Sequence, residues 1–322
     1  MPDMRKNASV MTLDPDTQTF IDDAVAAGRP QYHELPSAAD ARKSFKEVAA
    51  ARRGKGPLPG PACSVEGVLR DGLWCRIYRP LNLSVHHGPL PLVVFFHGGG
   101  WVIGDLDTHE AQARALVAIP AVVVSVEYRL APERPFPAAH EDCWDWVKWC
   151  AAGMGDRSHT DRLVVAGESA GVLLAASMAQ RCRDYDDAPD LAAQCLVYPA
   201  MNVAMDTPSH KENAEGYLLT ADVMRWFYDC YAPGEGFSPT EVPDLAGLAP
   251  AVIVTAGYDP LADDGIDYGD RLRQAGVNTV NLHFEGLIHG FFGMAGTSAA
   301  ARGAVQATVG ALGGMLAGTA QP

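Results

Sequence analysis

Ser169 lies in the run Gly167-Glu168-Ser169-Ala170-Gly171, the G-x-S-x-G spacing of a nucleophile carried on a sharp strand-to-helix turn. A serine hydroxyl attacks poorly unless a base takes its proton and fixed donors receive the charge pushed onto a carbonyl oxygen. The flanks suit such a turn: Leu163-Val164-Val165-Ala166 enters as a strand, and Val172–Gln180 leaves with a helical pattern. A turn this tight strains the serine backbone, and small neighbours keep it free of clashes. The chemistry on offer is acyl transfer. It needs a base, an acid to orient the base, and a set of amide donors.

His97-Gly98-Gly99-Gly100-Trp101 follows directly on the apolar run Pro91–Phe96. Three successive glycines are costly in backbone entropy, so something must approach this backbone closely. A tetrahedral oxyanion is such a visitor, because it must be met by N–H groups with no side chain in the way. Gly98 and Gly99, together with Ala170 just after the serine, are the expected donors. The rival use, a phosphate-binding loop, lacks support, since neither GxxxxGK[ST] nor GxGxxG occurs. His97 opens the loop and is read as a brace, not a base.

On elbow enzymes the order is Ser, then acid, then His. Three late histidines qualify by position: His210, His283 and His289. His210 falls in a polar insertion. His283 lies in the alternating Val280–Phe284 and is explained as a strand position. His289 follows that strand in a loop, Gly286-Leu287-Ile288-His289-Gly290-Phe291-Phe292, from which it can swing over the sheet edge; it is the expected base. Asp259, in Gly257-Tyr258-Asp259-Pro260-Leu261, comes straight after the apolar Ala251–Thr255 and is the expected acid. Asp263, Asp264 and Asp267 belong to the next helix, where carboxylates favour the first turn.

These residues need elements to position them. Residues from about 14 to 54 read as two helices, the first capped by Asp16 and the second by Ser37. Cys63–Leu69 and Leu73–Tyr78 flank the turn Asp71-Gly72, a hairpin signal. Pro91–Phe96, Ala121–Val126, Arg162–Ala166, Ala193–Tyr198 and Ala251–Thr255 read as buried strands. Between and after them lie the helical patterns Ala138–Cys150, Ala170–Arg183, Asp263–Ala275 and about Thr297 to Leu316. The alternation predicts an α/β fold with a mostly parallel central sheet flanked by helices and an antiparallel start. Met205–Thr240 interrupts it as an insertion with a helix at Ala221–Tyr231.

Bulk properties narrow the setting. The 322 residues carry a formal net charge of -14, which repels nucleic-acid phosphates and anionic lipid, so neither is an expected partner. Seven cysteines occur with no CxxC spacing, and they read as free thiols of a reducing compartment. The polar stretch Met1 to Asp16 shows no apolar core of a secretory signal. No apolar run approaches the roughly 20 residues of a membrane helix. A cytoplasmic protein without stable membrane association is expected.

Taken together, several runs resemble the hormone-sensitive-lipase-like (bacterial family IV) carboxylesterases of the α/β-hydrolase superfamily. They are His97–Trp101, Tyr128-Arg129-Leu130-Ala131-Pro132-Glu133 with Pro135-Phe136-Pro137-Ala138-Ala139, Gly167–Gly171, Asp259-Pro260-Leu261 and His289-Gly290-Phe291. The resemblance spans most of the chain. It implies hydrolysis of a small-molecule carboxylic ester through an acyl-enzyme with no cofactor or metal. It also implies a helical cap (residues 1–55 plus about 205–240) over a catalytic domain (56–322), and often a homodimer. Two positions depart from the family pattern: Glu168 stands where Asp or Thr is usual, and Val172 follows Gly171 where a second glycine is usual. Lactones, carbamates and amides are rival substrates on the same triad, and a small-molecule binding protein with an unused triad is the rival outside enzymes. Trp101 and Phe291, close in sequence to the loop and base, are expected to bind substrate and to restrict it to short or medium acyl chains.

Overall fold

A computed structural model describes residues 12–54, 59–81, 89–155, 160, 162–232, 234 and 238–318. Two helices open the chain, α1 (Pro15–Ala26) and α2 (Ala38–Arg53), then the hairpin β1 (Cys63–Arg70) and β2 (Leu73–Pro80). Alternation begins with β3 (Leu92–Phe96), α3 (Glu110–Leu116), β4 (Val122–Val126), α4 (Ala138–Ala151), β5 (Leu163–Glu168), α5 (Ala170–Asp184) and β6 (Leu191–Val197). After the short α6 (Pro208–Glu212) and α7 (Ala221–Tyr231) come β7 (Ala251–Tyr258), α8 (Ala262–Gln274), β8 (Thr279–Ile288) and α9 (Ala299–Gly318). The sheet order is β1-β2-β4-β3-β5-β6-β7-β8. β2 is antiparallel to β1 and β4, and the remaining pairs are parallel.

Every residue of β3 and β4 is buried, because helices cover both faces of the sheet. Alternation divides their side chains between two cores. Leu92, Val94 and Phe96 pack with Trp146 of α4, Leu173 of α5 and Leu272 of α8. Val93 and Phe95 pack with Leu116 of α3, Leu312 of α9 and Ile21 of α1. Because β3, β5, β7 and β8 run parallel, the residues that follow them (His97, Ser169, Asp259 and His289) all emerge at one sheet edge.

The N-terminal helices dock on this body through polar anchors as well as apolar faces. Asp14, not Asp16, caps α1: its carboxylate accepts from the Thr17 N–H at 2.9 Å. Pro15 then occupies the first helical turn, where its missing N–H costs nothing, and Asp16 is left to accept from the Ala299 N–H at 3.1 Å. Ser37 caps α2 as its type suggests. α3 carries no distinct sequence signal and was not expected. Among the described residues, no helix is long and apolar enough to cross a membrane.

His140, on α4, is buried between the Tyr231 hydroxyl at 3.0 Å and the Ser177 hydroxyl at 3.3 Å. Burial, with Arg181 nearby, pushes its imidazole down to about 3. The unfolded chain protonates near the ordinary ~6.5, so below that pH it binds a proton that the fold refuses. The folded value is the lower one; hence stability drains away as pH falls from ~6.5 toward about 3. His140→Gln removes this proton. Urea unfolding at about pH 5 and 4 should show a slope shallower than the parent's by about 1.4 kcal/mol per pH unit. Equal slopes would show that His140 takes up its proton in the folded chain.

Candidate active site

The turn from β5 into α5 places Ser169 at φ 53° and ψ -123°, a left-hand conformation that a side chain adopts only under constraint. Its N–H donates to the Val197 carbonyl and its own carbonyl accepts from the Val172 N–H, both at 2.9 Å. The bare neighbours are required by contact. A Cβ on Gly167 would sit 2.2 Å from the Gly171 oxygen, and one on Gly171 would sit 2.1 Å from the Phe96 oxygen. Strand, turn and helix therefore close on one another with no room for a side chain.

His289 and Asp259 meet this serine. His289 Nε2 lies 2.9 Å from Ser169 Oγ, and its Nδ1 lies 2.8 Å from Asp259 Oδ2. Asp259 is fully buried, and its other oxygen accepts from the Leu261 N–H at 2.9 Å. A carboxylate held in this way orients the ring and favours the tautomer with its proton on Nδ1. The two other late histidines lie elsewhere. His283 is on the exposed face of β8 beside the Thr255 hydroxyl at 2.8 Å, and His210 is buried beside Thr207.

Opposite the base lies the glycine loop. A Cβ on Gly98 would be 3.1 Å from Ser169 Cβ, which measures how closely this backbone approaches the serine. The N–H groups of Gly98, Gly99 and Ala170 donate to no other described residue. His97 Nδ1 bonds its own loop at the Gly98 carbonyl, 2.7 Å away, while the Tyr128 hydroxyl donates to the His97 carbonyl at 2.7 Å and its ring stacks on the imidazole. Burial, aided by His109, pushes His97 down to about 3, so it stays neutral as a brace.

One feature was not anticipated. Glu168 is buried with its Oε1 2.7 Å from His109 Nε2, while the Tyr198 hydroxyl donates to its other oxygen. Burial alone would raise this carboxyl, but the Coulomb attraction and hydrogen bond of His109, the Tyr198 hydroxyl and His289 together hold it down at about 2. The Tyr198 ring also packs against His289, centroids 4.6 Å apart. The acid next to the nucleophile was visible in the sequence, but its burial was not. Its partner His109 sits in no motif and only folding brings it near.

A cleft of about 510 Å³ opens over Ser169. Its floor is Gly98, Gly99, Ser169 and His289; its walls include Tyr32 and Phe45 at the start of the chain and Leu219, Val223 and Phe227 from the insertion. Trp101 and Phe291 are not among its lining residues, which corrects the expectation that they bind substrate. The Trp101 indole is buried against Tyr231, centroids 4.8 Å apart, because the chain turns away after the glycines at φ 61°. Phe291 is buried beneath the base between Tyr198 and Phe284. Phe227 takes the place expected of them: a Cβ on Gly100 would fall 2.0 Å from its ring. Among the described residues, no cluster of His, Cys, Asp and Glu is placed to hold a metal ion.

Residues 93–293 match the family model of the α/β-hydrolase fold. The chain is 39% identical to esterase LipI of Mycobacterium tuberculosis over 87% of its own length and 85% of that protein. It is 34% identical to an ethyl acetate hydrolase of Pseudomonas putida over 88% of its length and 93% of that protein. Among solved structures, a hyperthermophilic esterase from the archaeon Pyrobaculum calidifontis superposes with a TM-score of 0.85 at 33% identity, covering 95% of this chain and 99% of that one.

The contacts of Glu168 set a measurable cost. In Glu168→Gln the amide keeps one acceptor for two donors, His109 and Tyr198, so one buried group loses its partner. The change should lower folding stability by roughly 3–5 kcal/mol in urea unfolding at neutral pH. A loss below ~1 kcal/mol would mean that water or repacking satisfies the orphan.

Proposed function

This chain belongs to the α/β-hydrolase family, among its hormone-sensitive-lipase-like carboxylic ester hydrolases, and we propose that it works through an acyl-enzyme formed on Ser169. The observation that carries this reading is the unbroken run of contacts from Asp259 through His289 to the Ser169 hydroxyl. As the ester carbonyl is attacked, His289 takes the serine proton and Asp259 steadies the imidazolium without itself being protonated. The N–H groups of Gly98, Gly99 and Ala170 receive the oxyanion, each contributing on the order of 3 kcal/mol to the transition state. His289 then returns the proton to the departing alcohol, and a water activated by the same ring releases the acid.

In this reading α1, α2 and the segment 205–240 act together as one cap over the catalytic domain. Support comes from the cleft, whose walls both regions supply, and from Tyr32 and Phe227, whose rings lie 6.3 Å apart. The cap also limits the substrate. Ile103, Leu219, Val223 and Phe227 line the apolar part of a cleft of about 510 Å³, at the modest end of the ~300–1,000 Å³ range of small-molecule sites. Short and medium acyl chains fit this description, as does the name of the Pseudomonas putida relative.

Ser169→Ala should abolish ester turnover, a loss on the order of 10⁴–10⁶, while the circular dichroism spectrum is unchanged. Asp259→Asn should cost up to about 10⁴ at neutral pH. If either purified variant keeps more than a few per cent of parent activity on p-nitrophenyl acetate, the assignment of that residue is wrong.

Across p-nitrophenyl esters from acetate to palmitate, kcat/KM should peak between acetyl and about hexanoyl. Each methylene that fits gains only about 0.8 kcal/mol, whereas forcing one into a filled wall costs ~1–3 kcal/mol. A steady rise to palmitate would refute the limit on chain length.

A further inference from the structure

The polar groups lining the cleft are mostly committed elsewhere. Glu168 is held by His109 and Tyr198, and Arg29, on the exposed rim, lies 3.7 Å from Glu47. Arg52 differs. It is half-buried at the carboxyl end of α2, where the Thr297 hydroxyl donates to its carbonyl at 2.9 Å and so anchors its backbone. Its Nε is buried without a hydrogen-bond partner, and no carboxylate among the described residues lies within ion-pair distance. The two acids that line the adjoining cleft with it are spent on other cations: Asp107 on Arg76 and Glu110 on Arg114.

The guanidinium lies over the residue that follows the proposed base. A Cβ on Gly290 would be 2.5 Å from Arg52 Nη1 and 2.9 Å from Cζ, so only glycine lets the group settle this close. Its field reaches into the cleft: burial pushes the Tyr32 hydroxyl up, and Arg52 and Arg29 pull against that rise. An unneutralised cation in a partly dry pocket is expensive, and a bidentate carboxylate is the partner that suits its planar fork.

We propose that Arg52 forms an anion subsite, and that esters carrying a carboxylate on their acyl or alcohol part are preferred substrates. The inference rests on the ester-hydrolase reading above and deepens it. The overall charge of -14 repels such a substrate at long range. That repulsion is screened beyond about 8 Å at physiological ionic strength, so the local contact decides affinity.

The test compares kcat/KM for charged and neutral esters of matched length. Ethyl hydrogen glutarate against ethyl pentanoate places the charge on the acyl side; 3-acetoxypropanoate against propyl acetate places it on the alcohol side. The parent should favour the charged member of at least one pair by about tenfold or more, the scale of a charge-assisted contact. In Arg52→Gln that ratio should collapse by a similar factor, and Arg52→Lys should restore part of it. A parent that hydrolyses the neutral esters with no preference for either charged partner overturns the subsite and leaves the esterase reading intact. So does a preference that survives unchanged in Arg52→Gln. A parent that hydrolyses none of the four, with Ser169 unreactive to a fluorophosphonate, overturns both.

Discussion

Residue 169 holds a backbone conformation that no side chain adopts freely, and the surrounding architecture over-determines it. A strained φ and ψ of this kind costs on the order of 1–3 kcal/mol. It persists here because Ser169 is bonded on both sides, to Val197 and Val172, and because β5, α5 and the end of β3 close to contact around it. That closure in turn leaves no space for side chains at Gly167 and Gly171, and brings the Gly98 backbone against the serine. The parallel order of the strands does the rest, since it delivers Asp259 and His289 to the edge where the turn projects its hydroxyl.

Beneath this edge lies a second polar layer whose electrostatics divide by burial and pairing. Burial keeps the His97 and His140 imidazoles neutral. Glu168 is equally buried, yet it stays ionised because His109 and Tyr198 meet both of its oxygens. Low dielectric thus suppresses charge on the two imidazoles and strengthens the contacts that keep Glu168 charged. The consequence for the site is a fixed negative group beside the nucleophile and in contact, through Tyr198, with the face of the proposed base.

Much of this was legible in the sequence because the constraints are local. A turn that tolerates only small residues leaves a spaced signature, and a strand buried on both faces leaves a continuous apolar run; hence the elbow, the glycine loop and the succession of buried strands could be read directly. What failed was long-range. Trp101 and Phe291 adjoin the loop and the base along the chain, but adjacency does not set side-chain direction, and both rings turn into the core. His109 reaches Glu168 only through the fold, so no spacing announces it. The cap of α1 was misplaced by two residues because Asp14 and Asp16 are equally suitable by type. The position of Pro15 in the first turn settles the choice for Asp14.

The division of labour between sheet and helices has one exception with mechanical weight. The sheet edge supplies the groups proposed for the chemistry, whereas α1, α2 and α7 supply most of the walls, so the walls are free to vary without disturbing the floor. Arg42 crosses that division. From α2 it donates to the Val102 carbonyl and the Ala131 carbonyl, each at 2.8 Å, and its guanidinium also bonds Glu133. The Val102 N–H in turn donates to the Gly99 carbonyl at 3.0 Å. One short path therefore runs from α2 through Val102 to the glycine loop. Displacing α2 must either break the Arg42 bonds, which are charge-assisted and partly buried, or carry the loop with it. The position of the wall and the aim of the proposed oxyanion donors are thus set by the same contact.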